Sequence, residues 1–193
     1  MLHFLIINAG CQYFGRGGKL SKTFVDLAKT TLEGFGHEVE LTNLDDGWSI
    51  EEEAKKLERA DVVIVQTPAW YMSTPWQMKK YEDEVFMHPI ASTGGDGRHR
   101  GDPSKKYGTG GVLKGRRVLI SSTWNAPREA FEDPSQFFEG RGPDGVFFPT
   151  RKAFEFIGFK AMPYFMANDV LKNPTIPEDL ERWKAYLTAH FGC

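Results

Sequence analysis

"DVVIVQTPAWYMSTPW", residues 61–76, joins an unbroken apolar run to a loop dense in aromatic side chains. Val62–Val63–Ile64–Val65 shows no polar alternation, the pattern of a strand covered on both faces and so of a parallel sheet clad with helices. From Gln66 to Met78, thirteen residues hold two Trp, one Tyr, two Met and two Pro. Loops are ordinarily built from small polar residues, because their backbone stays near water. Trp70 and Tyr71, just past the strand's end, therefore need a reason to be there. Aromatics are most often core or interface residues. Trp76 and Tyr81 fit that reading, because both fall on the helix that Pro75 opens.

The same rhythm runs outward from this stretch in both directions. "LHFLIIN" reads as a first strand, and Leu20, Phe24, Leu27 and Leu32 mark an amphipathic helix from Lys19 that Gly36 ends. "HEVELTNL" follows as a second strand. Ser49 with Glu52 three residues later forms a capping box opening a helix to about Ala60. "RRVLISST" is the fourth strand, "RKAFEFIG" a helix ending at Gly158, and "FKAMPYFMAND" a fifth strand. Thr175 with Glu178 caps a last helix carrying Leu180, Trp183, Leu187 and Phe191. Five strands alternating with five helices predict an α/β fold with a doubly wound parallel sheet in a single domain, residues 1–193. Such sheets bind ligands beyond the carboxyl ends of their strands, where strand order reverses. The segment Met87–Gly115 breaks the rhythm: eight of its 29 residues are glycine and it shows no regular element. Loops this long in a compact domain are usually functional or disordered.

Composition narrows the function. With 40% hydrophobic and 26% charged residues the chain is globular, and 193 residues can bury a substantial core. A net charge of -2 argues against nucleic acid as the main partner, and falls short of the acidity of a carrier that docks by charge. The two cysteines, Cys11 and Cys193, match no pairing motif and read as free thiols in a reducing compartment. The apolar start is too short for a signal peptide, and no stretch reaches the ~20 apolar residues of a membrane span. A cytoplasmic protein is expected.

Several chemistries lack their residues. The five histidines are scattered without metal-ligand spacing, and no G-x-S-x-G elbow supports a hydrolase. The first loop, "NAGCQYFGRGGKLSKT", fails both the G-x-G-x-x-G and the Walker patterns. It does place Arg16, Lys19 and Lys22 at a helix start, where free backbone N–H groups suit a phosphate. A plain turn remains the alternative for that loop. Arg98, Arg100, Lys105 and Lys106 read as a solvated surface loop, with Tyr107 beside them. "STWNAP" (122–127) follows the fourth strand and faces the same crevice as Trp70 and Tyr71. Two aromatic-polar loops and one phosphate-suited loop fit a flavin nucleotide.

These residues also resemble a known family. "LIIN" (5–8), "ADVVIxQxPxWxMxxPWxxKKYxDxVF" (60–86), "DPSKKYGxGG" (102–111), "TWNAPxEAF" (123–131), "QFFxGxGxDGV" (136–146) and "FxAxDVxKxP" (165–174) are similar to flavodoxin-like NAD(P)H:quinone reductases of the modulator of drug activity B type. The resemblance implies a flavodoxin fold, FAD as cofactor, a homodimer, and two-electron reduction of quinones by NADPH or NADH. It assigns Arg16, Gly17, Gly18, Lys19, Leu20, Ser21, Lys22 and Thr23 to the phosphate end of the FAD. It assigns Ala69, Trp70, Tyr71, Met72, Tyr107, Thr123, Trp124, Asn125 and Ala126 to the flavin, with Trp70 and Trp124 expected to hold the ring. The chain departs from the family in its more glycine-rich and basic Gly15–Gly18 piece. It also has no counterpart of the Tyr/His pair of the mammalian quinone reductases, so no general acid is assigned. The expected kinetics are ping-pong, with nicotinamide and quinone sharing one slot. An azo- or nitroreductase, an electron-carrier flavodoxin and an ancillary subunit of a potassium efflux system are the alternatives.

Overall fold

The strand β1 (His3–Asn8) lies between β2 (Glu38–Asn43) and β3 (Val62–Pro68), in parallel with both. β3 pairs in turn with β4 (Arg117–Thr123) over its full length, from Val62 opposite Arg117 to Pro68 opposite Thr123. This is a computed structural model, and it describes residues 1–92 and 94–192. Cys193, expected as a free thiol, lies outside them. The remaining elements are α1 (Lys19–Gly34), α2 (Ile50–Arg59), α3 (Trp76–Val85), α4 (Pro89–Ser92), α5 (Glu129–Glu132), α6 (Asp144–Ile157), β5 (Lys160–Ala161), β6 (Phe165–Ala167) and α7 (Ile176–Phe191).

The strand order is β2-β1-β3-β4-β5, the doubly wound arrangement expected, with order reversing between β1 and β3. The fifth position is two strands, not one. β5 pairs with the start of β4 and β6 with its end, with Met162, Pro163 and Tyr164 between them. Proline cannot donate to a sheet ladder, so the edge strand breaks there.

Each sheet face has its own core. α1 and α7 cover one face, with Phe24, Leu32, Trp183 and Leu187 on Phe4, Ile6, Ile64 and Leu119. α2, α3 and α6 cover the other, with Leu57, Tyr81, Val85 and Phe154 on Leu5, Ile7, Val63 and Val65. The alternate strand residues thus face alternate cores, both buried, as the missing polar alternation requires.

Two helix details differ from expectation. α6 begins at Asp144, well before "RKAFEFIG", and runs through Pro149. A proline inside a helix costs about 3 kcal/mol. Val146, Phe147, Thr150, Phe154 and Ile157, buried at helical spacing, outweigh that loss. At α7, Thr175 makes no side-chain cap; its hydroxyl donates to Asp179 Oδ2 at 3.4 Å instead. Ser49 does cap α2, accepting from the Glu52 amide at 3.5 Å.

The glycine-rich segment lies against the carboxyl end of α6. A side chain at Gly111 would start 2.3 Å from the Gly158 amide nitrogen, so glycine here permits close packing. The segment therefore sits at the amino ends of the strands. Seven residues of β3, about 20 Å at ~3.3 Å per residue, separate it from the edge where Trp70 emerges.

Candidate functional site

Three loops leave the carboxyl edge of the sheet around the point where strand order reverses. The first runs from Ala9 to Gly18. Asn8 folds back over it, its Oδ1 accepting the Gly10 amide at 2.9 Å while its Nδ2 donates to Asn43. Tyr13 and Arg16 exchange backbone hydrogen bonds of 2.8 and 3.1 Å, closing a tight turn with Phe14 and Gly15 at φ 51 and 69. Gly17 and Gly18 follow at φ 97 and 75, and α1 starts with no side-chain cap.

Two glycines allow this approach. A Cβ on Gly18 would sit 2.4 Å from the Gly10 carbonyl oxygen, and one on Gly10 would sit 2.4 Å from Ser21 Cβ. The first protein hydrogen bond entering α1 is from the Lys22 amide to the Gly18 carbonyl. The amides of Gly17 through Ser21 have no protein acceptor among the described residues. The first turn carries no acid, and neither Arg16 nor Lys19 has a carboxylate partner among the described residues. Free donors, the positive end of a helix dipole and two unpaired cations suit an anion such as a diphosphate.

The second loop repeats the first loop's device. Trp70 and Ser73 exchange backbone hydrogen bonds of 2.8 and 3.1 Å, and Tyr71 and Met72 sit at φ 41 and 67. Such a turn needs left-handed backbone at both central positions, which favours Asn-Gly. A Tyr-Met pair is strained there, and strain of this kind clusters at ligand sites. Tyr71 is fully exposed and Met72 half exposed, so burial does not offset the cost. Trp70 packs one side on the core and meets the Tyr13 ring at 5.7 Å. Ala69 ties this loop to the next, its amide donating to the Thr123 carbonyl at 3.0 Å.

The third loop follows β4. Its backbone is braced by the Trp124 amide donating to Ala167 and the Val170 amide donating to Trp124. Asn168 Nδ2 donates to the Ala126 carbonyl at 3.1 Å. The amides of Asn125 and Ala126 have no protein acceptor among the described residues, and Asn125 is exposed. Two donors therefore stand at the crevice edge.

The expected site residues divide. Arg16, Gly17, Gly18, Lys19, Ala69, Trp70, Tyr71, Met72, Thr123, Asn125 and Ala126 lie at or beyond the carboxyl ends of the adjacent strands β1, β3 and β4. Ser21 is buried as the packing partner of Gly10, and Leu20 packs on the core. Lys22 is paired with Asp26 one turn on, and the Thr23 hydroxyl bonds back to Lys19.

Two of the expected residues stand apart from the crevice within one chain. Trp124 is 3% exposed, its indole enclosed by Phe131, Phe138 and Phe147 and its Nε1 donating to Ser122. It holds the loop from beneath, with its ring packed in the core. Tyr107 packs on Phe156, near the end of α6, with Arg98 over its ring. That is the opposite end of the sheet, so within one chain Tyr107 does not reach the crevice.

Sequence reasoning missed Tyr13 and Phe14, both exposed at the tip of the first loop. Two aromatics inside a glycine loop are as anomalous as those of the second loop, and that was the available signal. Cys11 is a buried free thiol, and burial, then Asp45, pushes its pKa up to about 12. Among the described residues no cluster of ligands suits a metal, and no helix is long and apolar enough to cross a membrane.

A flavodoxin-like fold model matches residues 3–190. An uncharacterized protein of Schizosaccharomyces pombe is 42% identical over 99% of this chain and 98% of its own. NADPH:quinone oxidoreductase MdaB of Haemophilus influenzae is 39% identical over 99% of this chain and 100% of its own. Among solved structures, a candidate quinone reductase from Klebsiella pneumoniae superposes with TM-score 0.80 at 21% identity, over 99% of this chain and 85% of that one. Strand order, crevice and end-to-end identity agree: the chain belongs to the flavodoxin-like family that includes the MdaB quinone oxidoreductase.

Proposed function

We propose that this protein is a cytoplasmic, FAD-dependent NAD(P)H:quinone oxidoreductase that works as a homodimer. The observation that carries the reading is the pair of left-handed turns, Tyr13–Arg16 and Trp70–Ser73, holding strained, exposed aromatics over a ready-made anion site. A crevice with an apolar wall and a few convergent donors is what a flat cofactor requires.

Bound FAD supplies the reversible uptake of a hydride equivalent. The chain supplies position. The free amides from Gly17 to Ser21, with Arg16 and Lys19, would hold the diphosphate. Ala69, Trp70, Tyr71 and Met72 would wall the ring, and Thr123 would fix the depth of the slot. The amides of Asn125 and Ala126 would donate to the ring edge that gains negative charge, the arrangement that makes oxyanion-type stabilisation effective. If Tyr107 serves a flavin, as the family resemblance implies, it does so from a second copy of the chain. NADPH or NADH and then the quinone take turns in one slot, so the kinetics are ping-pong.

Purified protein is boiled and the released cofactor separated by chromatography, alongside initial rates of NADPH oxidation with a benzoquinone. FAD release and parallel double-reciprocal lines are expected. FMN alone would overturn the cofactor reading, and intersecting lines the shared slot.

A further inference from the structure

A second cavity lies away from the crevice, between α3, α6 and the glycine-rich segment. Its volume is about 220 Å³, and its walls are Phe86, Met87, Ala153, Phe156 and Ile157. Roughly 150 Å³ of apolar cavity accommodates benzene, so this one takes a single substituted ring.

Four polar side chains, Lys79, Glu82, Asp83 and Ser92, also line it, and Glu82 is the buried one. That residue is 7% exposed, and its Oε1 has no hydrogen-bond partner. Buried polar atoms are normally paired, and an unpaired carboxylate oxygen is among the more costly exceptions. The surrounding charges do not supply the missing donor. On its own helix, Lys79 is paired with Asp83. From α6, the neutral Thr150 hydroxyl meets the carboxyl, and Ser92 is the polar side chain the glycine-rich segment adds to the lining. The cavity therefore joins a largely apolar, aromatic-sized volume to an acid whose Oε1 lacks a donor, beside the Lys79–Asp83 pair at its rim.

We infer that this cavity is a second small-molecule site, for a monocyclic aromatic carrying a single ammonium group. The ring fills the volume between Phe86 and Phe156, and the ammonium pairs with Glu82. The site goes beyond the oxidoreductase reading, although its wall Phe156 also carries Tyr107. Glu82 stands six residues along α3 from Trp76, about 9 Å at 1.5 Å rise per residue, on the side away from the aromatic loop. Burial pushes the Glu82 carboxyl up to about 7, so ligand affinity should rise with pH through neutrality and level off above it.

The probe is benzylammonium, titrated calorimetrically into the full-length protein with its native cofactor at about pH 8, with benzyl alcohol and benzoate as comparators. Benzylammonium should bind, benzyl alcohol more weakly, and benzoate not at all. Glu82→Gln keeps the shape and removes the charge. It should weaken benzylammonium by about 10- to 100-fold, the scale of a lost charged hydrogen bond, while leaving benzyl alcohol unchanged. Ala153→Phe, which fills the cavity and leaves the acid in place, should abolish both. No binding of benzylammonium, or equal binding by the parent and both variants, overturns the inference. So does binding that vanishes as the protein passes from monomer to dimer, which would assign the cavity to an interface.

Discussion

The rings of Tyr13 and Trp70 meet at 5.7 Å and 65°, so that the tips of two strand-end loops touch over the crevice. Each tip is closed by one pair of backbone hydrogen bonds and touches the other's ring, and Trp70 also rests one side on the core. Replacing Trp70 with Ala removes the wall and the brace together. Stacking on an aromatic is worth roughly 1–3 kcal/mol, so flavin retention should fall by about 5- to 150-fold. Fluorescence titration of the apoprotein measures it, and an unchanged affinity would return Trp70 to the core.

Trp124→Ala should behave differently. Its indole is enclosed by three phenylalanines, so the loss is one of packing, about 3–5 kcal/mol in urea unfolding. A variant that kept full stability and lost only flavin would contradict the placement of its ring.

Met72 lies at φ 67 with half its side chain exposed. Glycine adopts that conformation freely, so Met72→Gly should leave the apoprotein as stable or raise it by up to about 1 kcal/mol. The same change should weaken flavin binding, because the strained residue is kept for the ligand. Thermal unfolding with and without flavin separates the two effects.

The basic residues of the first loop should not be equivalent. Arg16→Ala and Lys19→Ala each remove an unpaired cation beside the free amides of α1, and both should weaken flavin retention more at low salt than at high. Lys22→Ala removes a cation already paired with Asp26 and should change retention little. Equal losses in all three would mean the diphosphate is not held at this helix start.

Glu82 makes stability depend on pH. In the folded protein the carboxyl keeps its proton up to about pH 7, against an ordinary value of 4.5. Between those values the native state holds a proton that the unfolded chain has released, so stability falls as pH rises through that window and is flat above it. Glu82→Gln should match the parent near pH 4 and exceed it near pH 8 by up to about 3 kcal/mol. Denaturant unfolding at the two pH values gives the comparison; a smaller difference at pH 8 than at pH 4 would reverse the sign.

The sequence was most legible where burial is two-sided. β1, β3 and β4 read as continuous apolar runs because each residue meets one core or the other, and α1 and α7 read from their apolar stripes. Pro163 hid the split of the fifth strand, because its effect depends on which ladder bond it would have made. Pro149 hid the first half of α6, where tertiary burial outweighs local preference. At the site, residue type pointed to the loops but not to directions: Trp70 and Trp124 look alike in sequence, yet one lines the crevice and the other is sealed beneath it. The position of Tyr107 was hidden for a similar reason, since nothing local says at which end of a sheet a long segment folds.

The interrupted fifth strand also governs how copies of the chain can meet. Open sheet borders invite foreign strands, and an unbroken one would let molecules join border to border into ribbons. Here one border is cut by Pro163 and the other, β2, presents Glu38 and Glu40. Both ends of the sheet are thereby closed to growth.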